Sequence, residues 1–283
     1  MRLEARILDA GLEWDGIWEL DNPLPRWWLW TWYACILWAI GYWVLMPAWP
    51  LISGHTMGVL GYSQRSAVEK QLAKNLESQS VYLKQIAEKS LDEIRADPDL
   101  LSFSMAGGRS AFAVNCSQCH GSGAQGAVGY PNLNDDAWIW GGELEQISYV
   151  IQHGIRNGDD DALVSEMPAF GRDELLEPDQ ILDVVEYVVS LSGRPARAEA
   201  VDRGAAIFAE QCAACHRENG KGNTEFGAPN LTDSIWLYGG DRVALQETIH
   251  SSRRGVMPGW KDRLTPEAIK QLTVFVHSLG GGQ

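Results

Sequence analysis

Two short stretches of the sequence carry residues that can hold a redox cofactor: Cys116-x-x-Cys119-His120 and Cys212-x-x-Cys215-His216. Two thiols at this spacing with an adjacent imidazole are typical of a covalently attached c-type haem. The thiols add to the vinyl groups of the haem, and the histidine becomes an axial iron ligand. A Cys-x-x-Cys pair also occurs in zinc sites and in thiol redox couples. The residues around each motif must therefore decide between these kinds of site.

The surroundings of the two motifs repeat as well, and this favours haem. The matched residues are Phe112 with Phe208, Pro131-Asn132-Leu133 with Pro229-Asn230-Leu231, Trp138 with Trp236, and Met167-Pro168 with Met257-Pro258. The motifs lie 96 residues apart, whereas a zinc ribbon brings its two Cys pairs within about 20 residues of each other. The offset between matched residues falls from 98 to 90 along the repeat, which indicates an insertion around residues 158–166 of the first copy.

The repeats also supply candidates for the rest of each haem site. Met167 and Met257 are the predicted second axial ligands, because a His/Met pair is a common haem ligation that raises the reduction potential. His153 and His250 are the alternatives, but they do not align in the repeat. An iron with both axial positions filled has no place for a substrate, so we predict electron transfer and no catalytic residue.

Two further pairs of matched residues are expected to contact the cofactor. An iron-bound imidazole normally donates its other N–H to a carbonyl or a carboxylate, and we assign this acceptor role to the loops at Pro131 and Pro229. Trp138 and Trp236 either donate their indole N–H to the haem propionates or pack against the haem edge. The residues alone leave these two roles of the tryptophans open.

Residues 27–46 form an uncharged run of 20 residues that predicts a membrane anchor. As a helix this run is about 30 Å long, the thickness of the hydrocarbon core. Aromatic residues crowd both of its ends, as at membrane interfaces. The run is too long for a cleaved signal peptide, and six acidic residues precede it. Because haem attachment is typically completed outside the cytoplasmic membrane, we expect a cytoplasmic N-terminus and external haem domains.

Charge and cysteine content limit the possible partners. The 283-residue chain has a net charge of −14, and the part beyond the anchor carries −11 of it. An acidic surface favours a basic docking partner and disfavours nucleic acid. Besides the four motif cysteines there is only Cys35, inside the apolar run, where it is most simply a small apolar side chain.

The spacing of apolar residues predicts an all-α chain with one N-terminal transmembrane helix. With its Cys-x-x-Cys-His, Pro-Asn-Leu and Met-Pro motifs and a C-terminal amphipathic helix, each of the two tandem repeats resembles a class I cytochrome c domain. We divide the chain into a cytoplasmic segment (1–26), the anchor (27–51), periplasmic connecting helices (52–106), a first cytochrome c domain (107–194) and a second (195–283). Each domain is expected to contain a helix ending at the Cys motif, a middle helix and a C-terminal amphipathic helix. Thr265 and Pro266 are a predicted N-cap and first helical residue.

Segments outside the repeats resemble one family in particular. Four segments are similar to the dihaem subunit (subunit III, CcoP/FixP family) of cbb3-type cytochrome c oxidases. They are Asp15-Gly16-Ile17, Glu19-Leu20-Asp21-Asn22-Pro23-Leu24-Pro25-Arg26-Trp27-Trp28, Gly58-Val59-Leu60-Gly61-Tyr62-Ser63 and Val276-His277-Ser278-Leu279-Gly280-Gly281-Gly282. Some members carry two anchors, whereas this chain shows one apolar span.

The resemblance implies a set of partners in the bacterial inner membrane. These are a haem–copper catalytic subunit, a monohaem cytochrome c subunit, a donor cytochrome c and membrane lipid, with no nucleic acid among them. Electrons would pass from the donor through two haem c groups towards the subunit that reduces oxygen to water. A free-standing membrane-anchored dihaem shuttle is the alternative. A peroxidase-like dihaem enzyme is disfavoured because both repeats supply a Met-Pro.

Overall fold

The structure is a computed structural model that describes residues 9–20 and 23–280. The chain divides into two compact units, residues 1–79 and residues 80–283. Both Cys-x-x-Cys-His motifs lie in the second unit. The described part is mainly helical, as the sequence predicted.

The first unit contains two short hairpins and the apolar helix. Strands β1 (Asp9–Trp14) and β2 (Ile17–Leu20) pair antiparallel, and the turn between them places Asp15 and Gly16 at positive φ, as a tight hairpin turn requires. Helix α1 (Arg26–Leu45) follows and has no buried residue. In the described ranges it is the one helix long and apolar enough to cross a membrane. A second hairpin, β3 (Pro50–Leu51) and β4 (Gly54–His55), comes after it.

Three helices lead from this region to the first motif. They are α2 (Gln64–Glu88), which continues into the second unit, α3 (Leu91–Ala96) and α4 (Pro98–Asn115). Asp97 caps α4, because its carboxylate accepts hydrogen bonds from the N–H groups of Asp99 and Leu100. The helix that carries the first motif therefore begins before the predicted domain start at residue 107.

The remaining helices form the body of the second unit. They are α5 (Ser117–His120), α6 (Leu144–His153), α7 (Pro178–Leu191), α8 (Ala198–Gln211), α9 (Ala213–His216), α10 (Arg242–Ser251) and α11 (Pro266–His277). The Thr265 hydroxyl accepts a hydrogen bond from Ala268 N–H at the start of α11, so the predicted cap is confirmed. The predicted middle helix and C-terminal helix are thus present in both repeats.

The helices of the two repeats are exchanged in the packing. Helix α4 of the first repeat packs along α11 of the second repeat, and α7 of the first repeat packs along α8 of the second. Glycines allow both crossings: a Cβ atom at Gly108 would collide with the backbone of Gln271, and one at Gly204 would collide with the backbone of Asp183. Each half of the second unit is thus assembled from helices of both repeats.

Two apolar clusters form the cores of these halves. Phe112, Ile147 and Ile151 of the first repeat pack with Ile269, Leu272 and Phe275 of the second. In the other half, Val184, Val185 and Val188 of the first repeat pack with Phe208, Leu245 and Ile249 of the second. A third cluster attaches the end of α2 and all of α3 to the first of these halves through Ile86, Ile94, Leu100 and Val274. The end of α2 and all of α3 therefore belong to the half that contains the first motif.

Candidate functional site

Each Cys-x-x-Cys-His motif forms a single helical turn at the end of a longer helix. We call Cys116, Cys119 and His120 the first site, and Cys212, Cys215 and His216 the second site. In both, the carbonyl of the first cysteine accepts hydrogen bonds from the N–H groups of the second cysteine and of the histidine, at 3.0–3.2 Å. This turn brings the two thiols and the imidazole close together, as attachment of one planar cofactor requires.

The histidine ring has the same fixed partner at both sites. Nδ1 of His120 lies 3.1 Å from the carbonyl oxygen of Pro131, and Nδ1 of His216 lies 3.0 Å from that of Pro229. Since a carbonyl only accepts, Nδ1 carries the proton and Nε2 keeps its lone pair. Burial lowers the pKa of His120 and of His216, and the hydrogen bond to the proline carbonyl opposes this only in part. Both imidazoles are therefore neutral and able to bind a metal through Nε2.

The thiols are unsuited to thiol redox chemistry. Burial, with a smaller effect of the second cysteine, raises the pKa of Cys116 and of Cys212 to about 11. Reactive dithiol couples need a thiol whose pKa is lowered towards neutrality by nearby positive charge or a helix N-terminus. The structure thus disfavours a thioredoxin-like couple.

Met257 of the second repeat lies on a loop that packs against the half containing the first site. Its backbone pairs antiparallel with Ile155, with N–O distances of 2.9 and 3.0 Å, and its carbonyl accepts a hydrogen bond from Asn157 Nδ2 at 2.7 Å. Three residues further on, Trp260 packs against the cluster that contains Cys116 and Trp138. The loop that presents Met257 is therefore held by the first repeat.

Met167 of the first repeat lies beside the second site in the corresponding way. Its side chain packs against the cluster that contains Cys212 and Trp236. Its carbonyl accepts a hydrogen bond from the Ser252 hydroxyl, and Phe170 N–H donates to the Ile249 carbonyl at 3.1 Å. Each methionine therefore lies in the half of the unit that contains the motif of the other repeat, although in the sequence each Met-Pro follows the motif of its own repeat.

The tryptophans show that the sites fit a large apolar cofactor with acidic groups. Trp138 packs in the cluster of the first site, and its Nε1 is buried without a hydrogen-bond partner. Trp236 packs in the cluster of the second site, below the guanidinium of Arg194. Buried donors normally have partners, so an unpaired indole N–H beside the thiols and imidazole fits a haem, whose propionates accept hydrogen bonds.

The two alternative histidine ligands are held elsewhere. Nδ1 of His153 lies 3.4 Å from a carboxylate oxygen of Asp159 and 3.7 Å from one of Asp161, and Lys261 Nζ lies 3.1 Å from Asp159. His250 Nδ1 lies 3.0 Å from the hydroxyl of Ser251. These contacts favour methionine over histidine as the second ligand. Asp159 and Asp161 thus form an ion-paired cluster with His153 and Lys261.

Two aromatic residues that the sequence predictions did not include, Tyr238 and Trp140, connect the two sites. A Cβ atom at Gly129 would lie 3.2 Å from the Tyr238 ring, and one at Gly227 would collide with the Trp140 ring. Gly129 N–H also donates to the Leu237 carbonyl at 2.8 Å. Each of these aromatic residues comes two positions after a tryptophan of one site and contacts the loop that follows the motif of the other. Trp140 and Tyr238 occupy equivalent positions of the two repeats, and this match is the sequence signal that could have identified them.

Comparison with known proteins gives one consistent result. Residues 9–53 match the N-terminal domain of cytochrome oxidase-cbb3, FixP, residues 105–192 match cytochrome c, and residues 199–276 match cytochrome c oxidase, cbb3-type, subunit III. The cbb3-type cytochrome c oxidase subunit FixP of Azorhizobium caulinodans is 55% identical over 97% of this chain and 93% of its own length. Subunit CcoP of Cereibacter sphaeroides is 53% identical over 97% and 95%, and subunit FixP of Rhizobium meliloti is 50% identical over 97% and 94%.

These matches extend over nearly the whole chain and include the region before the motifs. Cytochrome c domains carry covalently bound haem c, and their role within such an oxidase is electron transfer. Together with the apolar helix α1, the relatives indicate a membrane-anchored subunit. The chain belongs to the CcoP/FixP family of cbb3-type cytochrome c oxidase subunits.

Proposed function

We propose that this chain carries two haem c groups and that each is held by residues of both repeats. The first would be attached to Cys116 and Cys119 with His120 and Met257 as axial ligands. The second would be attached to Cys212 and Cys215 with His216 and Met167. A bound haem c supplies an iron that takes up and releases one electron. The observation that carries this proposal is the exchange of helices, which sets each Met-Pro loop beside the motif of the other repeat.

The protein residues would fix the iron ligands and exclude water from the sites. The carbonyls of Pro131 and Pro229 hold the two imidazoles in one orientation and one tautomer and increase their basicity as ligands. The loops bearing Met167 and Met257 are fixed because their backbone groups form hydrogen bonds with backbone and side-chain groups of the opposite repeat. Filled axial positions leave no place for oxygen or peroxide to bind, so both sites would transfer electrons without further chemistry.

We further propose an N-terminus in the cytoplasm and both haem sites in the periplasm. Three arginines lie before or at the first residue of α1, and two cationic residues, Arg65 and Lys70, lie within the 25 residues after it, a small excess on the cytoplasmic side. The partners would be a haem–copper catalytic subunit, a monohaem cytochrome c subunit and a donor cytochrome c. Electrons would reach the second site first, pass to the first site and continue to the catalytic subunit.

The mass and the absorption spectrum of natively produced protein test the haem proposal. We expect the mass of the polypeptide plus two haem groups, retained after denaturation because the thioether bonds are covalent, together with a Soret band. Replacement of Cys116 and Cys119 by Ala, or of Cys212 and Cys215 by Ala, should remove one haem each. A mass equal to that of the bare polypeptide, without Soret absorption, would contradict the proposal.

A further inference from the structure

Arg194, in the connection between α7 and α8, has an incomplete set of partners beside the second site. Its Nε donates to the Ser192 hydroxyl at 2.8 Å, and its Nη1 donates to the Gly240 carbonyl at 2.5 Å. Its Nη2 is buried and has no hydrogen-bond partner. The guanidinium carbon lies 5.6 Å from the centre of the Trp236 ring, and Trp236 packs in the cluster that contains Cys212 and Met167.

The missing partner of Arg194 should be an anion. Both acceptors that the structure gives it are neutral, and a buried cation is costly unless an opposite charge compensates it. Two other arginines of this half form ion pairs with carboxylates of α7: Arg203 pairs with Asp183, and Arg242 pairs with Glu186. Arg194 forms no such ion pair among the described residues. Its fork geometry suits a carboxylate that approaches from the side of Trp236.

In the sequence, the second repeat has no arginine at the position that matches Arg194. The matched tryptophan at the first site, Trp138, also has a buried donor without a partner. The repeat offset of 88 at the ends of the last helices, Leu191 with Leu279, pairs Arg194 with Gly282 in the sequence. The two sites are therefore chemically different at this position, although their motifs, prolines and tryptophans match.

We propose that Nη2 of Arg194 donates a charge-assisted hydrogen bond to a propionate carboxylate of the haem bound at the second site. This inference rests on the proposed function, since the propionates are the anionic groups of haem c. Arg194 then acts as a positioning residue that also raises the reduction potential of this haem, because its positive charge favours the less positive, reduced iron. It belongs to the first repeat, so it is another contribution of one repeat to the site of the other.

The test is the replacement Arg194→Gln in the full chain, followed by redox titration of both haems at one fixed pH. We expect one of the two components to move to lower potential, with a roughly tenfold smaller equilibrium constant for reduction, about 59 mV for a one-electron couple. The other component should stay in place. Arg194→Lys, which keeps the charge but not the fork, should fall between the wild type and Arg194→Gln.

The matched control is Arg197→Gln, which removes an arginine from the same connection. The Arg197 side chain is 67% exposed, so its effect on either potential should be small. Equal potentials in Arg194→Gln and Arg197→Gln would overturn the inference, as would loss of the second haem from both Arg194 variants. These outcomes differ from a failure of the proposed function, in which even the wild type would lack the mass and the Soret band of two haems.

Discussion

At the scale of single residues, matched positions of the two repeats have different electrostatic roles. Glu186 is almost fully buried in α7 and corresponds to Val274 in the second repeat. Its carboxylate accepts hydrogen bonds from Arg242 Nε at 2.8 Å and from the backbone N–H of Arg197 at 3.0 Å. Arg242 lies on α10 of the other repeat. The buried carboxylate of Glu186, on a helix of the first repeat, thus binds both the connection between the repeats and a helix of the second repeat.

We predict that Glu186→Gln destabilises the second unit by about 2 kcal/mol at neutral pH, the loss expected for charge-assisted hydrogen bonds. Hydrogen bonds from Arg242, then those from Arg197, lower the pKa of Glu186 from its ordinary 4.5 to about 2. A lowered pKa stabilises the fold above the unfolded-state value and loses this effect as the pH falls towards the folded-state value. The difference in unfolding free energy between wild type and variant should therefore be full above about pH 4.5 and shrink between 4.5 and 2.

Urea unfolding across this pH range, followed by circular dichroism, measures that difference. The control is Glu145→Gln, which removes the same charge from an exposed position in the first turn of α6 and should change stability by less than about 0.5 kcal/mol. A pH-independent difference would mean that the loss comes from packing and not from the ion pairs.

At the scale of helices, the sequence predicts the elements well and their partners poorly. Both repeats present the same order of helices and the same apolar stripes. The apolar pattern of α4 therefore fits α7 as well as it fits α11. The length of one connection was the usable signal. Only residues 192–197 separate α7 from α8, and short connections usually join antiparallel neighbours. The Cys motifs and proline contacts needed no such information, because their geometry is local in the chain.

The exchange predicts which methionine serves which haem. In the Cys116→Ala/Cys119→Ala background, one haem should remain at the second site. There Met167→Ala should change its spectrum from that of a His/Met-ligated haem and shift its potential, whereas Met257→Ala should leave both nearly unchanged. The Cys212→Ala/Cys215→Ala background should show the reverse dependence. Absorption spectra and redox titrations of these four variants read out the result, and the opposite pattern would mean that each repeat completes its own site.

At the scale of the whole molecule, the two halves of the second unit differ in what is attached to them. Helix α3 and the end of α2 pack on the half that contains the first site, through the cluster of Ile86, Ile94 and Val274. Lys270 of α11 strengthens this attachment by donating to the carbonyls of Ile86, Ala87 and Lys89 at 2.6–3.0 Å. The described connecting helices make no comparable contact with α7, α8 or α10. Under the proposed function we therefore expect the donor cytochrome c to dock on the half with the second site, which carries no such attachment among the described helices of the second unit.

This difference predicts the order in which the haems are reduced. In single-turnover mixing of the assembled oxidase with reduced donor cytochrome c, the Cys116→Ala/Cys119→Ala protein should still oxidise the donor once, because its remaining haem at the second site accepts the electron. The Cys212→Ala/Cys215→Ala protein should oxidise the donor at least tenfold more slowly, although its first site keeps a haem. Steady-state oxygen consumption should fall in both, so only the first turnover separates them. Unimpaired donor oxidation after loss of the second haem would place electron uptake at the first site instead.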